Sequence, residues 1–167
     1  YKLAASMYDL GRKDFASDKA ARHAAGATEM FGLSHLMLMY TARSPPIDVD
    51  SYLAQACHEY DARSSARAST AVDDNLALRA TLLYYEAYRM LGHVRAAPAG
   101  LVRMAQRCDE VLAPLLLEQA ALACLQLRPR PALRKFALYL VTAAHRYQAC
   151  GQKVLSLRCY AQAAVVY

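Results

Sequence analysis

The sequence predicts an all-α fold, and three observations support this class. Ala makes up about a fifth of the 167 residues, and Arg outnumbers Lys 15 to 5, whereas β-branched residues are sparse; this composition favours helix by intrinsic propensity. Apolar residues recur at spacings of three and four, the period of a buried helix face. With 56% apolar and 20% charged residues, the chain can bury enough surface to offset the entropy of ordering, which excludes disorder over most of its length.

Eight helices are predicted, because Gly, Pro or a capping residue interrupts each run of helical periodicity. Their expected ranges are 1–10, 18–40, 48–60, 76–91, 97–107, 111–127, 131–150 and 153–167. Gly11, Gly92 and Gly151 end three of these helices, since glycine readily adopts the left-handed conformation that closes a helix. The adjacent Pro45 and Pro46 stop the second helix, because neither can donate a backbone hydrogen bond.

Two helix starts and one helix surface carry specific expectations. Asn75 and Asp109 are predicted to cap the fourth and sixth helices, because their side-chain oxygens can accept from the first free amides. The sixth helix has only Glu118, Gln119 and Gln126 as polar residues. A helix that is apolar nearly all round must lie between neighbours, so we expect this helix to be the most buried.

The domain organisation follows from a change in composition. Residues 1–60 and 75–167 are predicted to form helical hairpins of one α-solenoid. Residues 61–74 are rich in Ala, Arg, Ser and Thr, which predicts a loop or an excised insertion. In residues 24–27 the sequence Ala-Ala-Gly-Ala makes one side of the second helix thin, so we expect a neighbouring helix to approach closely there.

One repeat-like pattern refines the fold class. Gly151, Leu157, Tyr160 and Ala163 follow the tetratricopeptide spacing, in which small and aromatic positions let the second helix of a pair nest on the first. A weaker copy begins at Gly92. The prediction is therefore a tetratricopeptide-like α-solenoid of stacked antiparallel helix pairs, with a closed bundle as the alternative.

Charge and hydropathy restrict the partners. The formal net charge of +6 comes from Arg spread along the whole chain, which is weak support for any anionic partner and predicts no direct nucleic-acid binding. The longest apolar stretches, such as 111–117 and 136–141, fall far short of the ~20 residues needed to cross a bilayer. The chain starts without Met or a secretory signal and ends in an apolar run, so it is expected to be a fragment of something longer.

The residues that could carry chemistry do not form a recognisable site. No glycine-rich loop precedes a Lys and a Ser or Thr, so no nucleotide site is expected. Cys57 and His58 are adjacent, hence point in different directions on a helix, and have no second pair to complete a metal site. His145 could serve as a general base for a nucleophilic Cys150 or Cys159, although packing is the preferred interpretation of these residues. We predict no catalytic, cofactor-binding or metal residues.

Three further groups have simple structural interpretations. The five Cys share no CxxC spacing, which predicts free, buried thiols in a reducing compartment. The acid pairs 73–74 and 109–110 lie at helix starts, where the helix dipole accounts for them. Tyr84, Tyr85 and Tyr88 lie on more than one face of one helix, so they either pack between repeats or present a partner-binding surface.

Particular strings resemble one known family in their order and spacing. They are Lys13-Asp14-Phe15, Asp18, Ala24-Ala25-Gly26-Ala27, Glu29-Met30, Leu115-Leu116-Leu117-Glu118-Gln119-Ala120-Ala121, Arg134-Lys135-Phe136-Ala137, His145-Arg146-Tyr147, Gly151-Gln152-Lys153, Leu157-Arg158-Cys159-Tyr160, Gln162-Ala163 and Val166-Tyr167. The chain thus resembles the Trs85-like family, the large subunits specific to the TRAPP III form of the transport protein particle complex. The similarity covers about residues 1–42 and 76–167, and the C-terminal third is its most specific part.

The resemblance, rather than the composition, implies a pathway. It implies a middle section of a longer, non-catalytic scaffold subunit, with other TRAPP subunits as partners and, through the complex, a Rab GTPase. Small core subunits perform the nucleotide exchange in that complex, so no cofactor is expected here. It also implies ER-to-Golgi transport and autophagy, at a cytoplasmic location peripheral to Golgi, ER-exit or pre-autophagosomal membranes. Membrane association would belong to the whole complex.

Two other classes remain open from the residues alone. A generic tetratricopeptide-like adaptor would bind peptides or protein partners in a concave face. A helical domain of an enzyme would need a pocket with convergent polar groups, which the sequence does not indicate.

Overall fold

A computed structural model describes residues 18–42, 49–64, 71–91, 97–127 and 129–167 of the chain. Within these ranges the secondary structure consists of helices and turns and includes no strand, which confirms the all-α class. The helices are α1 (Asp18–Ala42), α2 (Val49–Ser64), α3 (Ala71–Leu91), α4 (Ala97–Ala105), α5 (Leu112–Leu125), α6 (Leu133–Ala149) and α7 (Lys153–Ala164). None of the described helices is both long enough and apolar enough to cross a bilayer.

Helices α1 to α7 correspond to the second to eighth expected helices. The first expected helix, residues 1–10, lies outside the described residues, as do Gly11, Gly92 and the Pro45-Pro46 break. Residues 61–64 and 71–74 of the segment expected as a loop are helical, because α2 continues to Ser64 and α3 begins at Ala71. Ala and Arg are strong helix formers, which favours continuation of the helix into this segment. Residues 65–70 are outside the described ranges.

Two expected caps are corrected. Asn75 lies inside α3, one turn after its start, and therefore does not cap it. At α5 the backbone carbonyl of Asp109, rather than its carboxylate, accepts from the amides of Leu112 and Ala113 at 3.1 and 3.0 Å. The residue preceding α5 is Val111, which makes no side-chain cap. A turn that already satisfies these amides leaves the Asp109 carboxylate nothing to cap.

The chain divides into two compact units between Ala87 and Tyr88. In the first unit α1 packs on α2, and Leu36, Leu53 and Ala87 form a buried cluster with Leu33 and Tyr84 against it. The two helices approach closely at Gly32, where an added Cβ would lie 2.9 Å from Cδ2 of Leu53. At Gly26, within the expected thin side, an added Cβ would lie at a looser 3.6 Å from the Tyr60 hydroxyl.

In the second unit each helix packs on the next, from α4 through α5 and α6 to α7. Small side chains line the packed faces of α5 and α6, since a helix can approach closely only where its neighbour is thin. The fully buried alanines are Ala113, Ala120, Ala121, Ala123, Ala137, Ala143 and Ala144. The four helices therefore form a continuous stack of packed pairs, as expected for a solenoid.

Helix α5 is less enclosed than its composition suggested. Helices α4 and α6 cover two of its sides, but a third side keeps five large apolar side chains 38 to 66% exposed. These are Val111, Leu112, Leu115, Leu122 and Leu125, and we call them the α5 stripe. Helix α5 nevertheless lies between α4 and α6, as expected, and its eight buried residues exceed the six of α6 and the three of α7.

The packed face of α7 also differs from the tetratricopeptide pattern. Leu157 is 69% exposed, whereas Ser156, Cys159 and Ala163 are the buried residues of this helix. The period of three and four residues is as expected, but the buried face is rotated. The buried stripe of Ser156, Cys159 and Ala163 carries smaller side chains than the exposed stripe that contains Leu157, and small side chains permit a closer approach to α6.

The turn between α6 and α7 is a glycine-closed helix end. Gly151 has φ +75°, as expected for a helix-ending glycine. The amide of Gln152 donates to the carbonyl of Tyr147 at 2.8 Å, and the amide of Gly151 donates to the carbonyl of Gln148 at 3.0 Å. This pair of bonds is a Schellman motif, which satisfies the last free carbonyls of α6.

Gly32→Ala is expected to destabilise the α1–α2 packing, with Gly26→Ala as the matched control. A Cβ at Gly26 would lie at an ordinary 3.6 Å from the Tyr60 hydroxyl, so only the change at Gly32 overpacks a buried Leu. Both variants gain the same helix propensity, so Gly32→Ala should be less stable than Gly26→Ala by about 1–3 kcal/mol. Hydrogen exchange of α1 and α2 amides measures the difference, and equal protection in the two variants would contradict it.

Gly151→Ala is expected to cost about 1 kcal/mol of stability because a Cβ disfavours positive φ. Nothing lies within 4 Å of the added atom, so the cost is conformational and not steric. Gly151→Asn is the control, because Asn tolerates the left-handed region better than Ala does. Thermal denaturation should rank glycine first, Asn second and Ala last; an Asn variant less stable than the Ala variant would show that another constraint acts at this turn.

Candidate functional site

A buried carboxylate in the first unit joins three helices. Glu29 of α1 is 2% exposed, and Tyr60 of α2 donates its hydroxyl to Oε2 of Glu29 at 2.9 Å. Arg79 of α3 donates Nε to Oε1 at 3.1 Å and Nη2 to Oε2 at 2.8 Å, so both carboxylate oxygens are bonded. The bidentate guanidinium is the favoured partner for such a carboxylate. We call this group the Glu29 cluster.

A second group of the same residue types lies in the second unit. Glu118 of α5 accepts from the hydroxyl of Tyr147, on α6, at 3.1 Å. Arg158 of α7 donates Nη2 to the other oxygen of Glu118 at 2.6 Å. We call this the Glu118 cluster. In both clusters the Glu, Tyr and Arg come from three consecutive helices in that order, so each cluster ties a helix to the next two.

The electrostatics of the two clusters agree with their geometry. Burial, followed by the adjacent Glu carboxylate, raises the pKa of Tyr60 and of Tyr147 well above the ordinary tyrosine value. The hydrogen bond to Glu29 raises the pKa of Arg79. Both tyrosines therefore remain protonated donors over the physiological range, as the bonds to the carboxylates require.

Sequence reasoning missed both clusters. Tyr60 is 31 residues from Glu29 and Arg79 is 50 residues from it, separations at which no local pattern indicates a contact. One signal was available for the second cluster: Glu118 is the only acid in an otherwise apolar helix, and a buried acid needs a partner.

The residues considered for nucleophilic chemistry do not come together. Nδ1 of His145 is hydrogen-bonded to the hydroxyl of Tyr160 at 3.0 Å, and their rings meet edge to face. The Cys150 thiol donates to the carbonyl of Glu110 at 3.1 Å. Cys159 is fully buried, and desolvation raises the pKa of its thiol, which is the opposite of what a nucleophile needs.

None of the five cysteines forms a disulfide, but their burial varies. Cys124 and Cys159 are buried, whereas Cys57, Cys108 and Cys150 are only partly buried, so the expectation of uniformly buried thiols is wrong for three of them. Cys57 is partly buried and His58 is exposed. No group of three or more His, Cys, Asp or Glu side chains able to hold a metal occurs among the described residues.

The tyrosines of α3 contribute to packing in at least one case. Tyr84 packs against the Leu36, Leu53 and Ala87 cluster. Tyr84, Tyr85 and Tyr88, the three aromatic residues of this helix, are all partly buried. This placement favours packing over a fully exposed aromatic surface.

The exposed apolar side chains are the surface feature suited to protein contacts. Besides the α5 stripe, Val154, Leu157 and Val165 of the α7 region are 69 to 87% exposed. Contiguous exposed aliphatic side chains are typical of surfaces that meet other protein. The described residues thus combine hydrogen-bonded polar clusters in the interior with exposed apolar side chains at the surface.

Comparison with known proteins identifies the family. The family described as TRAPPC-Trs85, the "ER-Golgi trafficking TRAPP I complex 85 kDa subunit", matches residues 1–92. The human trafficking protein particle complex subunit 8 is 34% identical over 167 residues, which is all of this chain and 11% of that protein. The chain thus spans about a tenth of the length of this relative.

The two matches differ in how much of the chain they cover. The family match ends at residue 92, so the C-terminal strings singled out in the sequence lie beyond it, within the match to the human relative. The family match nevertheless covers more than half of the 167 residues. On this basis the chain belongs to the TRAPPC-Trs85 family of TRAPP complex subunits.

Proposed function

We propose that this chain is a non-catalytic scaffold segment of a TRAPP complex subunit. Membership of the TRAPPC-Trs85 family is the observation that carries the proposal. The packing supports it, because the most buried acid of each unit is used to join helices and not to face a substrate. The apolar α5 stripe supports it as well, since a scaffold needs surface that other subunits can cover.

More specifically, we propose that the subunit belongs to TRAPP III and acts in ER-to-Golgi traffic and autophagy. In this proposal the partners are other TRAPP subunits, and a Rab GTPase is reached through the complex, whose nucleotide exchange is performed by other subunits. The location is cytoplasmic and peripheral on Golgi, ER-exit or pre-autophagosomal membranes. What supports these points is the likeness to the human TRAPP subunit and the strings shared with the Trs85-like family.

Affinity purification of the tagged full-length protein tests the scaffold role. We expect TRAPP core subunits to co-purify in fixed proportion, as measured by quantitative mass spectrometry, because a scaffold is held in its complex by buried area. The tag alone is the control. A protein that purifies without any TRAPP subunit, in cells that express them, would contradict the proposal.

The recovered complex also separates scaffolding from catalysis. His145→Ala and Cys159→Ser remove the two side chains that sequence reasoning considered for chemistry. We expect a complex assembled with either variant to keep nearly all of its Rab exchange rate, measured by release of a fluorescent nucleotide. Normal assembly with abolished exchange would require a catalytic role for this segment.

The Glu118 cluster should carry more of the stability than a surface pair of similar type. Tyr147→Phe removes one bond to a mostly buried carboxylate and should cost about 1–3 kcal/mol. Tyr160→Phe is the matched control, because it removes the exposed bond to His145 and should cost less than about 1 kcal/mol. Denaturant unfolding or hydrogen exchange of α5 to α7 gives both values.

The same variant has a pH signature. The pKa of Tyr147 is higher in the folded chain than its ordinary value of 10.0, so its stabilising contribution is present below that pH and is lost as the pH rises above it. Wild-type protein should therefore lose stability above about pH 10 more steeply than Tyr147→Phe. Parallel pH profiles for the two proteins would show that the hydroxyl is not held by Glu118.

A further inference from the structure

A groove runs between α4 and α6 in the second unit. Val102 and Ala105 of α4 form one wall together with Gln106, which follows this helix, and Leu138, Tyr139, Thr142 and Arg146 of α6 form the other, with Leu117 of α5 also lining the groove. Its volume is about 230 Å³, which is enough for one large side chain and part of a backbone. Leu138 is 56% exposed in this wall, so the groove presents an apolar contact that the described residues leave uncovered.

Basic residues lie at both ends of the α6 wall. Lys135 is on the same helix face as Leu138 and Thr142, one turn nearer the start of α6, and it is exposed. Arg146 lines the opposite end, where its Nη1 donates to the carbonyl of Ala105 at 3.1 Å and so holds the guanidinium between the two walls. Arg146 lies eleven positions after Lys135, which corresponds to about 16 Å along the helix axis.

Nothing acidic balances these charges in the groove. The residues that line it include no Asp or Glu. Among the described residues, Lys135 forms no ion pair, and Arg146 contacts a carbonyl rather than a carboxylate. The groove therefore combines an apolar wall with a guanidinium at one end and, one helical turn beyond Leu138, the exposed ammonium group of Lys135.

We propose that the groove between α4 and α6 binds an acidic peptide segment of a partner protein, with one apolar side chain on Leu138 and carboxylates beside Lys135 and Arg146. An extended chain advances about 3.3 Å per residue, so the two carboxylates are separated by about five residues. Charge complementarity of this kind sets specificity and association rate. A membrane would need a broad apolar face rather than a recess between two helices, and this argues against a lipid ligand.

This proposal goes beyond the scaffold role and does not depend on it. Assembly into the TRAPP complex is measured by subunit recovery, whereas the groove is measured by peptide binding to the purified full-length protein. Either result can fail while the other stands.

A random peptide library displayed on phage, selected against the full-length protein, is the first test. We expect enrichment of peptides with Asp or Glu on both sides of a large apolar residue. Synthetic peptides of the enriched sequences are then measured by fluorescence anisotropy against variants. Lys135→Glu and Leu138→Ser should each weaken binding on the order of tenfold. Lys153→Glu is the matched control, because it makes the same charge change at an exposed lysine on α7, a helix that contributes no residue to the groove.

The remaining outcomes overturn the proposal. Selection of basic or neutral peptides, no enrichment at all, or acidic peptides that bind Lys135→Glu and wild type equally would each exclude this groove as the acidic-peptide site. Vesicles of phosphatidylcholine with phosphatidylserine serve as the lipid probe. Vesicle binding that Lys135→Glu abolishes and the peptides do not compete for would assign the groove to a membrane instead. Circular dichroism and thermal denaturation show that each variant is folded.

Discussion

A carboxylate removed from water has to be bonded at both oxygens, and this requirement determines how three consecutive helices meet in each unit. Glu29 and Glu118 meet it with the same two residue types, a tyrosine hydroxyl and an arginine guanidinium. Such a group adds little net stability compared with a well-packed apolar residue, but removal of one partner leaves a buried charge without compensation. The clusters therefore act mainly as selectors of the native helix arrangement.

The existence of the helices was predictable because it depends on local information. Ala content, spacing of apolar residues and helix-ending Gly or Pro all act within a few residues, and α1 to α7 follow the expected order. The faces that pack were harder to predict. On α7 both Leu157 and Cys159 belong to apolar stripes, and only the size of the side chains that meet α6 decides which stripe is buried. The helical period gives the spacing of the buried residues, but it does not show which face is buried when two faces of the helix are apolar.

The candidate site shows where sequence reasoning lacks information. Rejecting His145 and Cys150 as a pair needed only their chemistry, and the structure gives each a different partner. The Glu29 cluster needed knowledge of contacts across 50 residues, which one sequence does not contain. The family was accessible by another route, since shared strings of residues retain ancestry even where they reveal no contact. The family match and the human relative support that route over different parts of the chain.

The closure of α6 at Gly151 affects how this part of the chain can deform. Only Cys150, Gly151 and Gln152 connect α6 to α7, and all three of their amides are bonded back to carbonyls in the last turn of α6. A change of angle between the two helices would have to break those bonds or move Gly151 out of its left-handed conformation. The turn therefore opposes bending between α6 and α7, so that a displacement of α7 is expected to move α6 with it.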